Sequence, residues 1–391
     1  MNRAALTLTA VFVASLAMQA PTQAAEPAHT ATLKWLFKKH GGALSKAAAD
    51  AHNLRFHVRL SVVNIQGKKP SMDTYTFGSQ TQYVYPASAI KPAAAIAALQ
   101  RLNAVRKQHG PWIDHHTPIR LGKSNTSWRI HEEIRKLLII SGNRAYNRLY
   151  DWVGQESLNR MLWDAGLKHV RLSHHLGAIR TLEANQKTPA VRVGSRQKTI
   201  RLPGQTSTLE LKNKLESGLR VGTAHMADGV LVNEPMDFSQ KNFMRLDSLH
   251  EMLVLLLRPE LLPDRTGFAL TDKQRAFLAD ALRQLPHESK EPVWPQEQYD
   301  PHRFKPFLKG LERIDASARF KVTSKAGRAY GFRQDNAYIE DKKTGRAFFL
   351  TAVIYTNKNG VLNDNKYEYG FADRVITDVA ESVTRWVLRR P

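Results

Sequence analysis

Strand-like patterns near both ends of the chain enclose a long helical middle, and this order limits the fold more than any other feature. Alternating apolar and polar residues predict strands at 55–65, 74–85, 319–324, 333–340 and 346–356. Helical spacing predicts helices at 26–50, 89–107, 128–141, 143–164, 246–258, 271–284 and 370–389. The order predicts an α/β (α+β) protein in which an antiparallel sheet is flanked by helices and interrupted by an inserted all-α lobe.

The predicted elements suggest a division within one domain that spans residues 25–391. We expect the sheet-containing part to comprise about 31–85 plus 318–391, and the helical lobe to comprise about 86–317. Two stretches of the lobe, 176–235 and 286–311, have little periodicity, and the second holds several prolines. We interpret both as long loops or insertions.

The first 24 residues have the pattern of a signal peptide. A short basic start is followed by an apolar stretch and then by small residues up to Ala24, as export signals require. No later stretch approaches the roughly 20 uninterrupted apolar residues of a spanning helix. The sequence therefore predicts a periplasmic or secreted protein, cleaved near Ala24, without a transmembrane segment.

Composition restricts the chemistry and the partners. The chain has no cysteine, which excludes disulfides, thiolate metal sites and cysteine nucleophiles. Its 58 Lys and Arg against 35 Asp and Glu give a net charge of +23. For an exported protein this charge indicates either binding to anionic cell-envelope polymers or a merely solvated basic surface. Nucleic acid is not an expected partner, because no zinc-finger, RNA-binding or basic-zipper pattern is present.

The first candidate motif is Ser88-Ala-Ile-Lys91, where strand patterning gives way to helix. Residues i and i+3 share a helix face, so the lysine amine can reach the serine hydroxyl. Unpaired N–H groups at a helix start also favour developing negative charge. A serine there is more often only a helix cap. A second Ser-x-x-Lys, Ser195 to Lys198, lies in the irregular stretch and is interpreted as a chance match.

The second motif is Ser141-Gly142-Asn143, between an apolar run and a predicted helix. On a bend, the hydroxyl and the amide can point into one cleft, where the first relays a proton and the second binds an amide group. Helix capping by Ser141 or Asn143 is the alternative interpretation.

The third motif is Lys325-Ala326-Gly327, at the end of the strand pattern 319–324. A glycine beside a strand-borne lysine allows a ligand to approach the sheet edge closely. The segment Lys343-Thr-Gly345 lies between two predicted strands, so we assign it to a hairpin turn and prefer Lys325 for the site.

The three motifs in this order resemble the serine β-lactamase and penicillin-binding-protein superfamily, most closely the class A β-lactamase-like serine hydrolases. The resemblance covers roughly residues 50–390, apart from the two insertions. It implies an acyl-serine enzyme that acts on a β-lactam or a D-alanyl cell-wall peptide without a cofactor. It also implies a monomer.

The resemblance implies a role for each matching residue. Ser88 would be the acylated nucleophile, Lys91 its proton acceptor, and Ser141 the donor to the leaving nitrogen. Lys325 would support Ser141 and a substrate carboxylate. Substrate-binding positions would be Asn143, Ala326, Gly327 and Arg328. Backbone N–H groups of Ser88 and Arg328 would form the oxyanion hole.

The sequence departs from the family pattern at three points. Gly142 replaces a usual aspartate, and Ala326 replaces a hydroxyl residue. The Glu-x-x-x-Asn that positions the deacylating water is missing, and Glu183 is the nearest candidate. Without such a glutamate an acyl-enzyme hydrolyses slowly, as in penicillin-binding proteins.

Two other functions stay open at this stage. One is a D,D-peptidase or esterase on the same fold. The other is a catalytically weak, envelope-binding protein that uses its basic surface. The histidine pairs, such as His115-His116, have no ligand spacing of a zinc site, so no metal is expected.

Overall fold

A computed structural model describes residues 28–65, 69–213, 217–295 and 297–390. The predicted signal peptide at 1–24 lies outside these residues. The helices are α1 Ala28–His40, α2 Gly42–Ala49, α3 Lys91–His109, α4 Ile130–Leu138, α5 Asn143–Val153, α6 Gln155–Asp164, α7 Leu182–Gln186, α8 Leu246–Leu257, α9 Asp272–Arg283, α10 Pro301–Phe304, α11 Pro306–Glu312 and α12 Tyr369–Arg389.

Strands make up one large sheet and several small ones. They are β1 His57–Asn64, β2 Ser71–Phe77, β3 Ile119–Leu121, β4 Val170–Arg171, β5 Val191–Gly194, β6 Thr199–Leu202, β7 Arg220–Val221, β8 Ala224–Ala227, β9 Val230–Val232, β10 Met236–Asp237, β11 Phe243–Met244, β12 Phe320–Ser324, β13 Gly327–Ala329, β14 Phe332–Asp341, β15 Ala347–Tyr355 and β16 Val361–Leu362.

The large sheet has the order β12-β14-β15-β1-β2, and β13 also pairs with β14. Every pairing in it is antiparallel. Strands from both ends of the chain therefore meet in one sheet, as the sequence predicts, and the expected fold class is confirmed.

Helices cover both faces of this sheet, which explains why β15 is buried along its whole length. On one face Phe348 and Leu350 pack with Val375 and the other apolar residues of α12, together with α1, α2 and α11. On the other face Phe349 packs into the core of the helical lobe. The result is three layers, with the lobe on one side of the sheet and the chain ends on the other.

Helix α3 forms the centre of the lobe. Its residues from Lys91 to Leu99 are all buried, and it packs against α4, α5, α6 and α9. Alanine at most of these positions leaves room for helices on every side. The start of α3, which carries the first motif, is therefore held by packing.

A buried polar contact fastens α8 to the sheet. His250 of α8 hydrogen-bonds Ser61 Oγ at 2.9 Å and Thr351 Oγ1 at 2.8 Å. Thr351 in turn donates to Asn336 Oδ1 at 2.7 Å. Burial holds the pKa of His250 well below its usual value, so the neutral imidazole is the form that fits this contact.

Several predicted elements differ from the structure. The helix expected at 26–50 is α1 and α2, and the strand expected at 74–85 is β2, which ends at Phe77. The single helix expected at 143–164 is two helices, α5 and α6, because Gly154 between them has φ of +86°. The stretch 176–235, expected to be irregular, contains α7 and the strands β5 to β9. These strands have only two to four residues each, which is too short to produce a readable alternation.

The end of the second expected insertion belongs to the sheet-covering layer. Helix α11 packs on α12, with Phe307 and Leu311 in the same core cluster. Gly310 allows the contact, since a Cβ there would lie 2.2 Å from the carbonyl oxygen of Thr377. No helix among the described residues is long and apolar enough to cross a membrane.

We expect Gly310→Ala to destabilise the protein, because α11 would have to move away from α12. Overpacking of this kind costs about 1–3 kcal/mol, more than the roughly 1 kcal/mol that alanine gains over glycine in a helix. Denaturant unfolding measures the change. Gly370→Ala is the control, because its nearest neighbour would be Arg374 at 3.9 Å; equal stability of the two variants would contradict the prediction.

Candidate active site

Ser88 lies in a short 3₁₀ turn, Ala87–Ile90, that runs directly into α3. The chain enters the turn at Ala87, whose φ is +44°, and the N–H of Ala89 donates to the carbonyl oxygen of Pro86 at 3.0 Å. Pro92 falls in the first turn of α3, where a missing N–H leaves no helical hydrogen bond unmade. This arrangement presents Ser88, which is half-buried, at the start of the helix.

Lys91 is fully buried one turn after Ser88. Its Nζ donates to Asn143 Oδ1 at 2.8 Å, to Ser141 Oγ at 3.1 Å and to the carbonyl oxygen of Ser141. Burial and then the charge of nearby Lys325 hold the pKa of Lys91 well below that of a free lysine. The second motif is therefore joined directly to the first.

Ser141 lies between α4 and α5 with φ of +60°, which a non-glycine residue rarely adopts. The N–H of Gly142 donates to the carbonyl oxygen of Lys136 at 2.9 Å and closes the bend. In this conformation Ser141 Oγ accepts from Lys91 and also from Lys325, whose Nζ lies 2.9 Å away. One hydroxyl thus connects two amines.

Glu133 holds together the two helices that flank this bend. Its side chain is 1% exposed, and its carboxylate contacts Lys136 of α4 at 3.1 Å and Arg148 of α5 at 3.0 Å. Gly142 carries no carboxylate, so Glu133 is the acidic side chain that links α4 to α5 beside the bend. The sequence analysis missed Glu133, which has no motif of its own.

Lys325 follows β12 and is 2% exposed. Its backbone N–H donates to the carbonyl oxygen of Asn336 at 3.0 Å, which fixes it to β14. Burial, and then the charge of buried Lys305, lower the pKa of Lys325 to about 7, while Asp335 opposes the shift. This amine can therefore change its charge near neutral pH.

Gly327 brings β13 against the turn that carries Ser88. A Cβ at this position would lie 2.7 Å from the carbonyl oxygen of Pro86 and 3.1 Å from the backbone nitrogen of Ala89. Any larger residue would push the strand away from the turn. The third motif thus contacts the first through the backbone.

The three motifs meet at one cleft of about 320 Å³. Ser88, Ser141, Asn143 and the segment from Lys325 to Arg328 form part of its wall. The rest of the wall comes from Ile140, Gln298, Tyr299, Arg303, Phe304 and Arg333. Four of these lie in the expected insertion 286–311, so the sequence analysis missed them. No carboxylate is among the described residues of the wall.

Part of the chain is similar in sequence to a known protein family. The sequence model of the Beta-lactamase enzyme family matches residues 58–208, a range that contains Ser88, Lys91, Ser141 and Asn143. No curated protein matches the chain.

Solved structures extend the similarity to most of the chain. A β-lactamase from Xanthomonas campestris is 16% identical with a TM-score of 0.52, over 92% of this chain and 98% of that chain. A β-lactamase from Burkholderia vietnamiensis is 12% identical with a TM-score of 0.51, over 95% and 100%. A mutant of PBP-A, an acyl-enzyme complex with penicillin G, is 13% identical with a TM-score of 0.51, over 92% and 97%.

The chain has the serine β-lactamase fold. The resemblance drawn from the motifs to the serine β-lactamase and penicillin-binding-protein superfamily is thereby confirmed.

Glu183 is not part of the cleft wall of this β-lactamase-like protein. Its side chain is 74% exposed on α7 and pairs with Lys187 at 2.5 Å. The structure does not bring Glu183 into the cleft with Ser88, Ser141 and Lys325.

The two competing motifs also lie elsewhere in the β-lactamase fold. Ser195 and Lys198 are exposed in the turn between β5 and β6. Lys343 lies in the turn between β14 and β15, where its N–H donates to Asp341 Oδ1 at 3.1 Å. Neither lines the cleft.

One group of side chains among the described residues has the spacing of metal ligands: His40, Asp378 and Glu381. Arg313 contacts Asp378 at 2.8 Å and Glu381 at 3.3 Å, so an arginine already supplies the positive charge there.

We expect Glu133→Gln to lower the free energy of unfolding by roughly 1–3 kcal/mol, because two cations lose a buried charged acceptor. Glu132→Gln is the matched control. That neighbour is 29% exposed and pairs with exposed Arg129, a contact worth at most about 1 kcal/mol. Urea unfolding compares the two variants. An equal effect of the two substitutions would show that the buried contacts of Glu133 add no special stability.

Proposed function

We propose that this protein is an exported serine acyl hydrolase. A β-lactam or a D-alanyl peptide acylates Ser88, and water then hydrolyses the acyl ester. One observation carries the proposal: in the cleft that holds Ser88, Ser141 Oγ accepts from both Lys91 and Lys325. This network can remove a proton from a nucleophile and return one to a leaving group. Export rests on the sequence of residues 1–24.

In the acylation step the Ser88 hydroxyl attacks the carbonyl carbon of the substrate. Neutral Lys91 accepts the hydroxyl proton, and the lowered pKa of this amine makes the neutral form accessible. The C–N bond then breaks, and Ser141 donates its proton to the leaving nitrogen. The proton on Lys91 returns to Ser141 through the direct contact between them.

The negative oxygen of the intermediate would be stabilised by the backbone N–H groups of Ser88 and Arg328. The close approach of β13 to the Ser88 turn at Gly327 supports this pairing. Asn143, held by Lys91, would bind the substrate's side-chain amide, and Lys325 would bind its carboxylate.

Deacylation is the slow step in this proposal. The described residues of the cleft wall offer no carboxylate to activate water, and Glu183 pairs with Lys187 in solvent. An accumulating acyl-enzyme favours penicillin-binding or D,D-peptidase behaviour over rapid β-lactam hydrolysis. An esterase would use the same groups.

The excess of positive charge favours a second candidate, a weakly catalytic protein that binds anionic envelope polymers. Its retention on cell-wall material would fall with salt and survive Ser88→Ala. Loss of retention in Ser88→Ala would argue against this candidate.

We expect a fluorescent penicillin to label the wild-type protein covalently and to leave Ser88→Ala unlabelled, because Ser88 supplies the oxygen of the proposed acyl ester. Ser195→Ala, which removes the serine of the other Ser-x-x-Lys, should label at the wild-type rate. Gel fluorescence and intact mass measure this. An unlabelled wild type, or a labelled Ser88→Ala, would refute acylation at Ser88.

We expect the acylation rate to fall as the pH rises through about 7, because Lys325 loses its proton near that pH and is cationic only below it. Lys325→Arg keeps its charge at higher pH and should move this decline upward. Stopped-flow acylation across pH measures the profile. Lys321→Arg is the control on β12, the strand that precedes Lys325, where Lys321 pairs with Glu340 at 2.9 Å. An unchanged decline in Lys325→Arg would assign the decline to another group.

A further inference from the structure

Three arginines lie together in the wall of the cleft. Arg303 belongs to α10, Arg328 to β13 and Arg333 to β14, and all three line the cleft. They lie close enough to affect one another, since the charges of Arg333 and Arg303 add to burial in lowering the pKa of Arg328. Clustered guanidinium groups repel each other unless anions lie between them.

Only one of the three has a carboxylate partner among the described residues. Arg333 contacts Asp373 at 2.6 Å and donates to the backbone oxygen of Arg303 at 3.3 Å. Arg328 lies over the ring of Tyr369, at 5.0 Å from its centroid, and Arg303 is exposed. Asp373 also acts on Arg328, whose pKa its charge raises from a longer distance. Among the described residues, however, no carboxylate is in ion-pair contact with Arg303 or Arg328.

The position of the cluster identifies the part of the substrate that it faces. Arg333 is close enough to Lys325 to lower its pKa, and Lys325 donates to Ser141 Oγ at 2.9 Å. In the function proposed above, Ser141 delivers the proton to the leaving group. The arginines are thus on the leaving-group side of the scissile bond.

We propose that the substrate's leaving group carries two anionic groups, as a peptide that ends in a dicarboxylic amino acid does, and that Arg303 and Arg328 bind the second one. This inference rests on the proposed function. One carboxylate is bound at Lys325, and the other lies between the guanidinium groups of Arg303 and Arg328, neither of which is in ion-pair contact with a described carboxylate. Arginine suits this task because its planar fork can donate two parallel hydrogen bonds to a carboxylate.

The reaction itself is unchanged by the second charge. Ser88 Oγ forms the ester bond to the acyl carbon as the bond from that carbon to the leaving group breaks. The proton from Ser88 goes to Lys91, and Ser141 protonates the leaving group. Water then hydrolyses the ester and restores the Ser88 hydroxyl.

Three matched thioesters test the inference. Each has the same N-benzoylglycyl group, and the leaving thiols are mercaptoacetate, mercaptosuccinate and the half-amide of mercaptosuccinate. The half-amide has the shape of the dicarboxylate with one charge fewer. A chromogenic disulfide detects the released thiol without background from the protein, which has no cysteine.

We expect kcat/KM for the dicarboxylate to exceed that for the half-amide by about tenfold at low ionic strength, as for hydrogen bonds to charged groups, and to lose much of this advantage in salt. Arg303→Gln and Arg328→Gln should each reduce the ratio by about threefold or more. Arg196→Gln removes an exposed arginine outside the cleft wall and should leave the ratio unchanged. A wild-type ratio near one, or a ratio that both cleft variants preserve, would overturn the inference.

A binding measurement separates failure of this inference from failure of the proposed function. If no thioester is turned over and no penicillin labels Ser88, the proposed hydrolase function fails. Calorimetric binding of the dicarboxylate and the half-amide to Ser88→Ala then decides the charge preference alone. Tighter binding of the dicarboxylate, weakened by Arg303→Gln, would support the anion subsite, and equal affinities would overturn it.

Discussion

Two buried lysine amines meet at one hydroxyl, and the rest of the site depends on this contact. Lys91 and Lys325 both donate to Ser141 Oγ, although burial and mutual repulsion both disfavour their charged forms. Such an arrangement persists only if the backbone on all sides is fixed. Three separate parts of the chain supply that support: the start of α3, the bend between α4 and α5, and the end of β12.

Each of these parts is held by packing or by a specific polar contact. Helix α3 is buried on all sides at its start, and Glu133 ties α4 to α5 beside the strained Ser141. Lys325 is bonded to β14, and the lack of a side chain at Gly327 lets β13 reach the Ser88 turn. The three-layer fold is therefore what brings two amines and a hydroxyl together, because no local sequence could hold them there.

The sequence predicts the sheet and most of its helices because these elements are long and strongly patterned. It also supplies the three motifs, whose residues the structure gathers in one cleft. It does not predict the break at Gly154, since periodicity continues across it, nor the strands β5 to β9, which are too short to alternate visibly. Arg303 and Tyr299 were missed because a proline-rich stretch gives no periodic signal, and only tertiary packing places it at the cleft.

The departures from the family pattern and the arginines of the wall both affect the charge at the cleft. Gly142 and Ala326 lack the acidic and hydroxyl groups of the family pattern, and Arg303 and Arg328 place positive charge at the wall. A cleft wall with arginines and no carboxylate among its described residues attracts anions but offers no acid to activate water. In the proposed function, the missing glutamate slows deacylation while the arginines of the wall favour a more highly charged substrate, so the altered site fits a change of specificity better than a simple loss of activity.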